Sequence, residues 1–422
     1  MRQSLRLACA LSALSLAPSA QFNFDVWVVD DNGGPGVDFT DLQPAANAAS
    51  AGDLILVKDG FYNGFSVVAK GLRVVAEDGA NVEVSGLIHV RQTNSLNQTL
   101  LQGLSSGCAP EGLRIHIEDC AGAVLIEDCE LGSWGCPGGA FVAPPGVDGR
   151  AIYFESSARQ AVVRTSAVGL GGQDDSDGYD GLHSEASISQ IWNSTLVGGK
   201  GGQGTVPGPA GQGGAGLHAS NFDLWESGST LRGGDGGSGG PVAGGCAQGG
   251  DGGAGLFIDG QFSLVERHNE NALGSLGGFS SCGATGAGGP AALQTGGTSM
   301  NVVAPGGTYR ASSPVREGLT TAIDVTGTPG DLVILLAESA MLQLPSLGTP
   351  YIGPSLVDLS TAIVQTLGVL PAGGNLNLNL GVGMVPAGFE HVVYFTQALW
   401  VRSPTEIAFG PGSAVAVLDS AF

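Results

Sequence analysis

The sequence predicts an all-β chain: a parallel β-helix solenoid with an N-terminal helical cap, followed by a small C-terminal antiparallel β domain. Three observations lead there. Glycine supplies 73 of 422 residues and charged residues only 13%, a balance that suits short strands joined by tight turns. A block of 22 to 24 residues recurs five times between positions 112 and 278. The glycine-rich texture then stops near position 311. The expected organisation is a signal peptide at 1–20, the solenoid at 21–310 and a β-sandwich-like domain at 311–422.

The first twenty residues place Arg2 and Arg6 ahead of an apolar run from Leu7 to Leu16 and close on Ala17, Ser19 and Ala20. This is the form of a secretory signal, and the apolar run is too short to span a bilayer. "FDVWVVDD" then reads as a strand and "NGGPG" as a turn. In "DFTDLQPAANAASAGD", Asp38 or Thr40 is the expected cap of an alanine-rich helix that ends at Gly52. "LILVKDGFY", "FSVVAKGLRVVAEDG" and "VEVSGLIHV" follow as short strands punctuated by glycine.

The recurring blocks are GLRIHIEDCAGAVLIEDCELGSWG (112–135), GRAIYFESSARQAVVRTSAVGLGG (149–172), GLHSEASISQIWNSTLVGGKGG (181–202), GLHASNFDLWESGSTLRGGDGG (216–237) and GLFIDGQFSLVERHNENALGSLGG (255–278). Each opens and closes on glycine around a central apolar strand. Self-similarity of this period marks a solenoid whose turns bury their apolar faces only by stacking. Glycine-rich insertions separate the blocks at 136–148, 173–180, 203–215 and 238–254. They read as flexible or tightly turned surface loops, and none carries the Gly-Lys-Ser/Thr ending of a phosphate loop. Beyond position 311, "TAIDVTGTPGDLVILLAES", "GNLNLNLGVGMVPAG" and "HVVYFTQALWV" read as strands of a separate antiparallel domain. Surface attachment, or capping of the open solenoid end, is its expected role.

The stretch "DFTDLQPAANAASAGDLILVKDGFYNGFSV" resembles the opening of pectin-lyase-like right-handed parallel β-helix proteins, in which a capping helix precedes the solenoid. The detailed match runs from about Val26 to Val90, and the repeat extends it to about Tyr309. The C-terminal region resembles small β-rich modules of secreted proteins from planctomycete-like bacteria. The β-helix fold hosts lyases, hydrolases, esterases and non-catalytic surface proteins, so the resemblance implies the fold and leaves the chemistry open. Gln173, Asp174 and Asp175 superficially match the paired-aspartate element of polygalacturonases, but the Gly-His-Gly and Arg-x-Lys elements have no counterpart. The Gln-Asp-Thr-Leu stretch of pectin methylesterases is missing as well.

A net charge of −22 repels phosphate backbones and anionic lipid, which excludes nucleic acid as a partner. The six cysteines after Cys9 suit disulfides in an exported protein. Cys246 and Cys282, in successive glycine-rich insertions, form the preferred pair. In "GGQDDSDGYDG" (171–181), Asp174, Asp175, Asp177 and Asp180 crowd one short loop, the chemistry of a calcium site. His183 and His218 occupy equivalent places in adjacent blocks, with Phe257 next. Trp192 and Trp225 also recur, so these four side chains are candidate polysaccharide contacts. The expectation is an exported or cell-surface monomer, non-catalytic, with no required cofactor, binding polysaccharide, a cell-envelope component or calcium. The alternative is a lyase or hydrolase of acidic polysaccharide.

Overall fold

A computed structural model describes residues 24–106, 113–132, 148–220, 223–259, 264–268, 272–295, 299–302, 307–342 and 350–422. The expected signal peptide lies outside these residues, as do Cys108 and Cys136.

The chain is nearly all β, and its larger part is a coil of parallel strands. Successive strands of one sheet come from successive turns, from Val26–Val29 through Leu54–Val57 and Arg73–Ala76 to Leu264–His268 and Ser299–Val302. Two further strand stacks complete each turn. The turn at Ile152–Glu155, Arg159–Val163 and Ser166–Val168 is followed by Leu182–Glu185, Ile188–Trp192 and Thr195–Val197 in register. Inward side chains form ladders: Ile88, Ile115, Ile152, Leu182, Leu217 and Leu256 stack in one row and are all buried.

The helix is Leu42–Ala48, and Asp41 caps it, not Asp38 or Thr40; the Asp41 carboxylate accepts from the Leu42 amide at 2.8 Å. Asp38 instead accepts the Val28 amide at 2.8 Å. The helix ends with Ala49 as its C-cap, short of Gly52, and lays Leu42, Ala45 and Ala46 against the solenoid core.

Two sharp corners shape each turn. At one, Asp119, Ser156 and Ala186 adopt φ of 52°, 48° and 49°; at the other, Asp128, Arg164 and Asn193 adopt 50°, 46° and 47°. Non-glycine residues resist this left-handed region, so something must hold them there. The residue after each one supplies a ladder of side-chain acceptors. The Cys120 amide donates to Ser157 Oγ at 3.0 Å and the Ser157 amide to Ser187 Oγ at 3.1 Å. The Thr165 amide donates to Ser194 Oγ at 3.1 Å, and the Ser194 amide to Ser229 Oγ at 3.1 Å. Cys120 and Cys129 are thus free, buried thiols at corner positions, not the disulfide partners that their even count suggested. Burial pushes the Cys129 thiol up to about 12.

The glycine-rich insertions beyond residue 148 are hydrogen-bonded segments, not flexible loops. Gly169, Gly172 and Asp175 donate their amides to the carbonyls of Val197, Lys200 and Gln203; Gly198, Gly201 and Gly204 donate to Arg232, Asp235 and Ser238; Gly233, Gly236 and Gly239 donate to Leu273, Leu276 and Phe279. Every third residue bonds outward, which is the three-residue repeat of the polyproline II helix. The returning segments do the same: Ala210, Gly213 and Gly216 donate to Gln248, Asp251 and Ala254. Bonds such as Gly199 to Tyr179 and Gly202 to Ser176 tie outgoing to returning segments. The result is a packed bundle of threefold helices standing on one corner of the solenoid. Glycine is needed where helices touch: a Cβ on Gly202 would lie 1.5 Å from the Gln173 carbonyl oxygen, and one on Gly213 1.7 Å from that of Gly234. The Cys246–Cys282 disulfide links the 238–254 insertion to the next glycine-rich stretch, after Gly278.

After Ser299–Val302 the chain leaves the coil. Thr308–Ala311, Thr320–Thr326 and Asn375–Gly381 form one antiparallel sheet, and Leu332–Glu338, Ile363–Val369, His391–Ser403 and Glu406–Leu418 the core of a second. The two enclose Tyr309, Ile323, Val333, Trp400 and Val415. This domain does not cap the solenoid end. It lies along the first sheet, with Phe395, Phe409 and Leu356 packed on outward-facing Leu56, Leu125, Val163, Trp192 and Trp225. The outward side of that sheet is mostly apolar, and burial against a second sheet is what removes it from water.

Where this domain meets the first turn, His391 is fully buried with its Nε2 3.3 Å from Arg73 Nη1. Burial, reinforced by the Arg73 charge, lowers the His391 imidazole to about 3. Unfolded, it would titrate near 6.5. Between those values the unfolded chain binds a proton that the folded chain refuses, so stability falls as pH drops. We expect urea midpoints to show a loss from this residue of about 1.4 kcal/mol per pH unit between pH 6 and pH 4. The curve for His391→Gln should be correspondingly flatter over that window, and an unchanged slope would refute the assignment.

Candidate functional site

With one sheet covered and one corner occupied by the glycine bundle, the outward face of the strands Val82–Arg91, Leu113–Glu118, Ile152–Glu155, Leu182–Glu185, Leu217–Ser220 and Leu256–Asp259 carries the densest chemistry. Strand alternation puts every second residue outward, and the parallel register aligns them. His89, His116, Tyr153, His183, His218 and Phe257 fall in one row. The rings touch along the row: His89–His116 and His116–Tyr153 stack with centroids 4.7 Å apart, His183 meets His218 edge-to-face at 4.2 Å, and His218 lies 4.5 Å from Phe257.

A second row runs beside it: Arg91, Glu118, Glu155, Glu185, Ser220 and Asp259. Each carboxylate reaches the ring one turn back. Glu118 meets His89 Nε2 at 2.8 Å, Glu155 meets His116 Nε2 at 3.1 Å, and Glu185 accepts from the Tyr153 hydroxyl at 3.0 Å. Burial, together with the neighbouring His116, holds His89 below its ordinary value.

At His183 the pattern changes. His183 Nδ1 and His218 Nδ1 both face one oxygen, Asp180 Oδ2, at 2.9 and 3.1 Å. Asp180 arrives at the end of the first returning glycine helix, and its other oxygen accepts the Ala215 amide at 2.8 Å. His218 Nε2 lies 3.5 Å from both Asp259 Oδ2 and Ser220 Oγ. Burial opposes charge here, yet the hydrogen bonds from the two imidazoles outweigh it and hold the Asp180 carboxyl far below the usual range. His218 is raised for the matching reason: burial works against its charge, and Asp180 and Asp259 overcome it.

The four loop aspartates expected to share calcium do not converge. Asp174 and Asp175 form the turn between outgoing and returning segments, with Asp175 at φ 59°. Asp177 and Asp180 lie three residues apart on the returning helix, about 9 Å along its axis. Asp175 accordingly binds the Thr205 amide at 2.9 Å and its hydroxyl, while Asp177 takes the Gln212 amide at 2.8 Å. Asp174 is exposed, and Asp180 alone joins the histidines. The acidic loop therefore uses carboxylates to satisfy amides of the next glycine helix that helix-to-helix bonding leaves over. Trp192 and Trp225 pack against each other, centroids 5.9 Å apart, beneath the C-terminal domain, 1% and 6% exposed, so neither offers a ring face to a ligand. Of the candidate contacts, His183 and His218 remain on the accessible side.

The sequence reading missed His89, His116, Tyr153 and Asp259. The signal was present in "RIHIED", "IYFES", "LHSE", "LHAS" and "LFID". Aligning blocks on their opening glycine hid it, because the first two blocks carry two extra residues before the strand. No model of a known protein family matches this chain, and no curated protein does.

Proposed function

We propose that this is an exported right-handed parallel β-helix protein of the pectin-lyase-like kind that binds polysaccharide without cleaving it. The observation that carries the reading is the double row on the open sheet face. Carboxylates of Glu118, Glu155 and Glu185 repeat once per turn, about 4.8 Å apart, beside a row of rings in contact with one another. Such a row offers regularly spaced acceptors to the hydroxyls of an extended polymer. Its charge, like that of the whole chain, favours neutral or amino-sugar polysaccharides over uronates.

Cleavage would need an acid and a base converging on a reacting atom within a groove. Here the imidazoles are tied to carboxylates along a sheet surface, and the Ser220 hydroxyl is donated to Asp259. The test is a polysaccharide panel scored for both retention and chain scission. Retention on a neutral or amino-sugar polymer is expected, weakened at least tenfold in the Glu118→Gln, Glu155→Gln, Glu185→Gln triple variant and unchanged in Asp174→Asn. Release of new reducing ends, or retention indifferent to the triple variant, overturns the proposal.

A further inference from the structure

We propose that Asp180, His183 and His218 form a binding site for a single late first-row transition-metal ion, with zinc as the natural occupant. One donor atom from each residue lies within 4.8 Å of the other two. They come from three separate segments of the chain: the end of a glycine helix and two adjacent turns of the solenoid. Tetrahedral zinc with bonds of about 2.0–2.1 Å holds its ligand atoms about 3.3 Å apart. The observed Asp180 Oδ2 distances of 2.9 Å to His183 Nδ1 and 3.1 Å to His218 Nδ1 need only a few tenths of an ångström of opening.

The surroundings are those of a built site. The side chains of His183, Asp180 and His218 are 9%, 15% and 17% exposed. Both rings are held by ring contacts, His183 edge-to-face with His218 at 4.2 Å and His218 against Phe257 at 4.5 Å. The Ala215 amide fixes Asp180 Oδ1 and thereby aims Oδ2 at the imidazoles. His218 also has a carboxylate, Asp259, facing its other nitrogen at 3.5 Å. That is the partner a metal-bound histidine uses to hold its remaining proton and orient its ring. Without metal, each Nδ1 can donate its proton to Asp180. With metal, the His218 proton sits on Nε2, where Asp259 accepts it. His89 and His116, which meet only one carboxylate each through Nε2, lack this convergence. Two imidazoles and one carboxylate suit zinc and its neighbours, whereas calcium requires an oxygen shell. A fourth coordination position is left for water or an oxygen of a bound ligand.

Neighbouring turns suggest variants that keep the ring ladder while deleting the donor: His183→Tyr copies Tyr153, and His218→Phe copies Phe257. The purified chain, stripped with a chelator, would be titrated with zinc by calorimetry and with cobalt(II) by visible absorption. The expected result is one ion per chain and the intense absorption of tetrahedral cobalt. Affinity should fall at least 100-fold in each histidine variant and about 10- to 100-fold in Asp259→Asn. His116→Phe should bind as the parent does, and calcium should not compete. Thermal melts establish that the variants are folded; should a histidine variant fail to fold, Asp259→Asn still decides. Absence of stoichiometric binding by the parent chain, or binding unaffected by the histidine and Asp259 variants, overturns the proposal.

Discussion

Arg164→Ala is expected to lower stability by about 4 kcal/mol, because it strands a fully buried carboxylate. Glu127 faces outward from the covered sheet and is 0% exposed. It accepts from the Ser413 hydroxyl at 2.5 Å, the Ala414 amide at 2.8 Å and Gln102 Nε2 at 3.0 Å, and it pairs with Arg164 Nη2. Arg164 also donates to both oxygens of Asp128, at 3.0 and 3.1 Å, and to the Tyr309 carbonyl at 2.9 Å. One guanidinium therefore joins a corner of the solenoid to the C-terminal domain.

Burial by itself drives the Glu127 carboxyl up, and Arg164 leads the groups that pull it back. Burial likewise opposes the charge of Arg164, which Glu127 and Asp128 overcome. Four donors on a group with no access to water favour the ionised pair. Removing the cation leaves the desolvation penalty with little to offset it. The loss should be read by urea unfolding, with tryptophan fluorescence as the probe, since Trp192 and Trp225 sit in the same interface. A Glu127→Gln, Arg164→Met double variant should recover at least half of the loss, because no unpaired charge remains. A loss below about 1 kcal/mol, the scale of an exposed ion pair, would contradict the buried network.

Gly202→Ala should have a comparable effect, about 4 kcal/mol, beyond the usual range for one overpacked methyl. The new carbon would meet the backbone carbonyl of Gln173 rather than a side chain that could swing away. The first and second outgoing helices would have to separate, loosening the bonds from Asp175 to Gln203 and from Gly202 to Ser176, both 2.8 Å long. The adjacent Gln203 is exposed, and Gln203→Ala should stay within about 0.5 kcal/mol of the parent. Melting temperature gives the comparison. Limited proteolysis should show new cutting within 171–216 only in the glycine variant, and equal behaviour of the two variants would refute helix-to-helix packing in the insertions.

Much of the coil was legible because a solenoid is nearly one-dimensional: each turn must bury itself on the next, so glycine and apolar residues recur at a constant period. The corner residues were not legible. Nothing in "EDC", "ESS" or "EAS" announces that the middle residue takes a positive φ. That conformation is held by a hydroxyl in the neighbouring turn. The insertions carried a partial signal, glycine recurring through "GGKGGQG" and "GGDGGSGG". A threefold helix has no hydrogen bonds of its own, so composition cannot separate it from a flexible tract until partners 28 to 40 residues away are in place.

The site divides along the same line. His183 and His218 could be placed in one row from sequence because parallel register carries equivalent positions of adjacent turns together. Tertiary structure decided which outward face stays open. Trp192 and Trp225 lie in adjacent turns of the same sheet, two register positions apart, yet they are covered by strands nearly two hundred residues further on, whose packing no local pattern encodes. It also decided the fate of the aspartates: Asp174 and Asp175 occupy the turn that reverses the chain, whereas Asp177 and Asp180 lie three residues apart on the returning helix. Asp180 meets its histidines only because the bundle and the sheet share a corner. Periodicity along the chain is written in composition, whereas contacts between surfaces distant in sequence exist only once both have folded.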